Sequence, residues 1–194
     1  MKICLFGGTF DPPHLGHLIL AQTIYEAEHF DQIVFVPAYK SPHKDRSVVS
    51  SVDLRKKMVK IAIKENPNFV MSEIEIDRGG VSYSIDTIID YKKKTGTDSK
   101  KLFYLIGSDS LKTFHSWRNS EQILDECQII VAIRPGFRPS AIDNKILAKI
   151  QFANIPRIEV SSTEIKRRWI EGKTIRYMVT QQIWEYINEH KLYL

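Results

Sequence analysis

Ile3-Cys4-Leu5-Phe6-Gly7-Gly8-Thr9-Phe10-Asp11-Pro12-Pro13-His14-Leu15-Gly16-His17 stands two residues into the sequence and sets its fold. The first four residues are apolar at successive positions, which marks a strand covered on both faces. Two glycines, an acid and two prolines follow, and from Leu15 the apolar residues recur with helical spacing. The segment therefore reads as a strand, a ligand-sized turn and a helix. Gly7 and Gly8 are expected to bend the backbone tightly and admit a ligand beside the Thr9 hydroxyl. Pro12 and Pro13 fix φ where the helix starts, Asp11 is placed to cap it, and the amides at that end attract phosphate. His14 and His17, three apart, share one side of the first turn, and Gly16 keeps that side low enough for a nucleotide. A metal reading lacks the third protein ligand that catalytic zinc needs, and a histidine pair without a task is the plainer alternative. The turn is neither GxGxxG nor GxxxxGK[ST], so the dinucleotide and P-loop fingerprints are absent.

Outward from this turn, strand-like runs at Ile33 to Val36, Phe69 to Ile76, Leu102 to Ile106 and Ile129 to Ile133 alternate with helical spacing. The helical stretches are Leu15 to His29, Leu54 to Asn66, Ile85 to Thr95 and Ser120 to Glu126. This alternation predicts an α/β, doubly wound parallel sheet, followed by C-terminal helices over Thr163 to Glu171 and Gln181 to His190 that pack on the sheet edge. Ligands bind such sheets beyond the carboxyl ends of the strands, where the strand order reverses. Pro37 to Val52 is the one long irregular stretch, basic and of the kind that carries function.

The chain has 194 residues, 43% hydrophobic and 26% charged, enough for one core, so a single domain over 1–194 is expected. Its greasiest run ends at Arg134, far short of the roughly 20 residues a membrane helix needs, so no membrane partner is expected. Met1-Lys2 leads into four apolar residues and the glycines without the pattern of a signal peptide, which points to the cytoplasm. Cys4 and Cys127 show no CxxC spacing and read as reduced packing residues. The net charge of +5 favours anionic partners. With no paired RNA-stacking aromatics and no helix-turn-helix pattern, nucleic acid is not expected among them.

GGTFDPPHLGH resembles the signature of the nucleotidylyltransferase superfamily, with its HxGH motif as HLGH at His14 to His17. In this form it is similar to the bacterial nicotinate-nucleotide adenylyltransferase family. Four further segments carry the resemblance in order: PAYKSPHK (Pro37 to Lys44), VSYSIDT (Val81 to Thr87), IGSDSLKTFHSW (Ile106 to Trp117) and VSSTEIKRR (Val160 to Arg168). The resemblance implies a Rossmann-like fold and transfer of the adenylyl group of ATP to nicotinic acid mononucleotide, with Mg²⁺ carried mainly by the ATP phosphates. It implies catalytic roles for His14, His17 and Lys44, and ATP contacts from Gly7, Gly8, Thr9, Phe10, Gly16, Gly107, Asp109, Ser162 and Thr163. Lys44, Tyr83, Ser84, Thr87, Trp117 and Arg134 would hold the mononucleotide, with Trp117 flat against the pyridine and backbone groups near Tyr83 to Thr87 on its carboxylate. Plainer roles stand beside these: helix capping for Ser161 with Glu164 and for Ser108 or Asp109, and core packing for Trp117. The family has Arg where this chain has Lys166, a loss of the bidentate fork for which Arg167 is the nearest substitute. Another acceptor (nicotinamide mononucleotide, phosphopantetheine, a flavin nucleotide) or a noncatalytic nucleotide- or RNA-binding module are the alternative functions, and a homo-oligomer stays open.

Overall fold

A computed structural model describes residues 1–42, 49–133 and 142–194. Six parallel strands form one sheet in the order β3-β2-β1-β4-β5-β6. They are β1 (Ile3–Gly8), β2 (Gln32–Pro37), β3 (Phe69–Met71), β4 (Leu102–Gly107), β5 (Gln128–Ile133) and β6 (Ile150–Asn154). Successive strand residues face opposite layers, and both layers are filled. Leu5, Val34, Leu102 and Ile129 meet Ile85 and Ile88, whereas Cys4, Ile33, Phe103 and Ile130 meet Ala21 and Ile24. The α/β doubly wound, Rossmann-like class expected from the apolar runs is the one observed.

The helices are α1 (Leu15–Ala27), α2 (Val52–Ile63), α3 (Ile74–Arg78), α4 (Ser84–Thr95), α5 (Ser108–Lys112), α6 (Ser120–Glu126), α7 (Asn144–Leu147), α8 (Ser162–Ile170) and α9 (Gln181–Glu189). β1 and β4 lie side by side at the centre of the sheet, and the order reverses between them. The crevice of such a fold therefore opens above their carboxyl ends, at Gly8 and Gly107. Among the described residues no helix is long and apolar enough to cross a membrane, and both cysteines are buried and free of disulfides.

Three expectations change. The strand read over Phe69 to Ile76 stops at Met71, and α3 takes over from Ile74. Ile74 and Ile76 alternating with Glu73, Glu75 and Asp77 imitate a strand, yet Glu75 is buried and accepts a hydrogen bond from Thr87 Oγ1 of α4 at 2.6 Å. That tertiary pairing outweighs the local period. β6 escaped the sequence because only Ile150 and Ala153 of its five residues are buried, as befits an edge. Finally, α8 and α9 pack on α2 and not on the sheet edge: Met58 joins Ile165, Ile183 and Ile187, while Val59 and Ile63 of the same helix face the sheet.

Leu5 is fully buried in a central strand. Leu5→Ala is expected to cost about 2–5 kcal/mol in urea unfolding with an unchanged denaturant slope. A loss below about 1 kcal/mol would contradict its placement.

Candidate active site

β1 continues through both glycines, Gly7 pairing with Val36 and Gly8 with Pro37, so the chain does not bend there. It bends at Phe10, whose φ of 51° is left-handed. What the glycines supply is space. A Cβ on Gly7 would stand 2.6 Å from the Tyr104 hydroxyl, and one on Gly8 would stand 2.7 Å from the Phe10 ring. The room a side chain would need at each position is thus taken by the protein's own rings. Phe10, expected on the ATP side, has its ring buried, edge-on to Phe6 at 5.5 Å and to His17 at 5.0 Å. A left-handed aromatic residue costs about 1–2 kcal/mol, and this packing holds it there.

His14, not Asp11, occupies the N-cap position of α1. Its backbone N–H donates to His17 Nδ1 at 3.2 Å, and the two rings stack 3.7 Å apart at 26°. With Nδ1 accepting, a neutral His17 carries its proton on Nε2 and so presents a donor. Gly16 makes this pairing feasible, since a Cβ there would press on His14 Nδ1 at 3.0 Å.

Asp11 turns inward and is 1% exposed. Its Oδ2 accepts from Lys166 Nζ at 2.9 Å and from the Ser50 amide at 3.1 Å, and its Oδ1 accepts from the Tyr193 hydroxyl at 2.9 Å. Burial alone would raise the carboxyl pKa, but the bonds from Ser50 and Lys166 outweigh it and hold the group below the usual range. Beside it lies Arg55, also buried, donating to the carbonyls of Thr9 (3.0 Å), Ala38 (2.7 Å), Tyr39 (3.3 Å) and Ser50 (3.1 Å). Lys166 is therefore the basic residue that α8 brings to this turn. Arg167, the expected substitute, is on the outer face paired with Glu164 and Glu171.

Among the clefts that border the turn, two hold about 310 Å³ each, large enough for part of a nucleotide. One is lined by His14, Gly16 and His17 together with Ser161, Ser162 and Thr163 at the start of α8. Here Ser161 Oγ accepts from the Glu164 amide at 3.2 Å as the helix cap, and Ser162 Oγ donates to the Pro12 carbonyl at 2.9 Å. The other cleft is lined by Gly7, Gly8, Thr9, Tyr83, Ser84, Tyr104 and Trp117. Its walls are aromatic: Trp117 stands edge-on to Tyr104 at 6.5 Å, and the Tyr104 and Ser84 hydroxyls are 3.0 Å apart.

The remaining expected residues divide. Thr87 is buried, its hydroxyl engaged with Glu75 and its amide bonded to the Tyr83 carbonyl, so the helix-start amides without an intrahelical carbonyl are those of Ser84 to Asp86. Gly107 ends β4 with open space beside it, but the Asp109 side chain points to solvent and pairs with Lys112 at 3.0 Å. Lys44 and Arg134 lie outside the described residues. Two charged residues of the second cleft escaped sequence reading. Glu75 is one, its carboxyl pushed up by burial against the bonds from Ser82 and Thr87. Arg118 is the other, its guanidinium 4.7 Å above the Tyr83 ring and 3.7 Å from Asp86. An acid inside an apparent strand and a cation after a tryptophan carried no signal for either.

A model of the family described as cytidylyltransferase-like matches residues 5–168. A protein of Exiguobacterium sibiricum named as a probable nicotinate-nucleotide adenylyltransferase is 39% identical to this chain, covering 100% of it and 99% of the relative. A like-named protein of Thermus thermophilus is 35% identical over the full length of both. Among solved structures, the Plasmodium falciparum nicotinic acid mononucleotide adenylyltransferase complexed with NaAD superposes with a TM-score of 0.79. It shares 22% identity and is matched over 98% of this chain and 96% of its own, a likeness of fold.

The Asp11 contacts set an acid limit. Because its folded pKa lies below the unfolded value near 3.8, the stability it contributes is complete above that pH and is lost as pH falls through the depressed folded value. Thermal unfolding followed between neutral pH and about pH 3 should show the parent's margin over Asp11→Asn shrinking at the acid end. A constant margin would contradict the ion pair.

Proposed function

Since the chain belongs to the cytidylyltransferase-like family and, within it, to the nicotinate-nucleotide adenylyltransferases, we propose that it transfers the adenylyl group of ATP to nicotinic acid mononucleotide, releasing pyrophosphate. The observation that carries the reading is that one turn lines two clefts, Gly7, Gly8 and Thr9 bordering one and the stacked imidazoles of His14 and His17 bordering the other. One cleft suits a triphosphate: α8 offers helix-start amides, and Thr163 lines it beside His14 and His17. The other suits an aromatic ring bearing an acid, with Trp117 and Tyr83 for the ring and the amides of Ser84 to Asp86 for the carboxylate. Arg118 at the same cleft adds positive charge, which favours the acid over its amide.

The 5′-phosphate oxygen of the mononucleotide attacks the α-phosphorus, the bond to the bridging oxygen breaks, and pyrophosphate leaves with the electron pair. The attacking group is already an anion near neutral pH, so no protein nucleophile or strong base is called for. This chain's work is alignment and charge stabilisation. His17 donates from Nε2, His14 lines the same cleft, and Lys44 supplies positive charge. Magnesium enters with ATP as part of the substrate. Asp11, three residues before His14, has both oxygens occupied by Ser50, Lys166 and Tyr193 and offers no seat for the ion. ATP-consuming chemistry of this kind accords with a cytoplasmic setting.

Pyrophosphate release measured with ATP, magnesium and a panel of acceptors tests the reading. Nicotinic acid mononucleotide should be used well, and nicotinamide mononucleotide and phosphopantetheine poorly. Release with none of them, or only with another acceptor, would refute it. His17→Ala is expected to lower turnover by 10²-fold or more, about 3 kcal/mol of transition-state stabilisation, with smaller changes in KM. Near-normal turnover in that variant would remove His17 from the mechanism.

A further inference from the structure

We infer that Tyr193 is a positioning residue for the turn between β1 and α1, acting through Asp11. The two residues are 182 apart in sequence, yet the phenol donates to Asp11 Oδ1 at 2.9 Å. Oδ2 of the same carboxylate is taken by Lys166 and the Ser50 amide, so Tyr193 meets the acid on its other oxygen. Burial together with the adjacent Asp11 charge drives the Tyr193 phenol pKa upward, so it stays a donor.

The backbone around Tyr193 is bent to this purpose. Lys191 and Tyr193 both adopt left-handed φ values, 48° and 69°, which side-chain-bearing residues rarely take. The Trp169 indole N–H holds the Leu192 carbonyl at 2.9 Å, Lys166 Nζ lies 5.6 Å from the Tyr193 ring centroid, and the hydroxyl sits 3.7 Å from Met58 Sδ. Segments ordered only for packing have no need to deliver a hydroxyl to a buried acid. Asp11 stands one residue after the left-handed Phe10 whose ring backs His17, and three before His14. Fixing Asp11 from a second direction therefore fixes the path that places both imidazoles. Tyr193 touches neither cleft and is no catalytic residue.

The inference rests on the proposed adenylyl transfer for its kinetic assay only. Tyr193→Phe removes the hydroxyl and keeps the ring. The expected result, well below the unfolding temperature, is a turnover number about tenfold lower with both KM values within about twofold of the parent. Backbone amides of residues 9–17 should exchange with deuterium about tenfold faster. A merely structural tyrosine would lower the melting temperature and leave turnover and that exchange alone, and either quantity unchanged overturns the inference. In an Asp11→Asn background, Tyr193→Phe should add no further loss, whereas losses that multiply would show that Tyr193 does not act through Asp11. If Asp11→Asn does not fold, the single variant still decides. If the parent releases no pyrophosphate with any acceptor, the proposed function fails and the exchange measurement judges Tyr193 by itself.

Discussion

A buried carboxylate is an awkward thing to keep, because losing its water is costly unless every lone pair is met by a donor. Asp11 meets that demand by drawing on three distant parts of the chain: the loop after β2 through Ser50, α8 through Lys166, and the segment after α9 through Tyr193. Each of those parts borders the crevice or supports its border. A charge that must be satisfied thus brings the first turn, the backbone at Ser50, α8 and the segment after α9 into one arrangement, and the turn inherits a geometry it does not hold by local preference. The left-handed Phe10 shows how much is imposed from outside.

The sheet supplies the rest of the site's order. Because β1 and β4 are neighbours at the reversal point, the segments that follow them diverge, and the turn after β1 lines one cleft with Gly8 and Thr9 and another with His14, Gly16 and His17. A two-substrate displacement needs two neighbouring pockets, and here one short stretch of chain lines both, with the stacked imidazole pair in the wall of one of them. The aromatic cleft is tied to β1 by the Tyr104 hydroxyl, which lies where a Gly7 side chain would be and reaches Ser84 at the start of α4. The Tyr104 hydroxyl thereby joins the start of α4 to β1.

The central strands were legible because both their faces are apolar, and α6 was read to the residue because its ends are polar and its inner face is simple. The histidine pair and the α8 cap were legible because their partners are three residues away. What sequence could not disclose is whatever depends on contacts across the fold. Glycines that look like a hinge turned out to be vacancies for Tyr104 and Phe10, Asp11 looked like a helix cap and became a hub, and Glu75 looked like the wet side of a strand. In each case the local pattern fits two environments equally well, and only packing selects between them. Lys166 is the converse: its departure from the family pattern was visible, but the acid it serves was not.

Arg55 grips its surroundings in an unusual currency. All four of its described bonds go to main-chain carbonyls, those of Thr9, Ala38, Tyr39 and Ser50, and none to a side chain. Every amino acid carries that carbonyl, so the course of the segment after β2 is secured whatever letters are written along it. Evolution is then at liberty to rewrite the groups that greet a ligand there while the scaffold beneath remains as it was, which separates the choice of substrate from the survival of the fold.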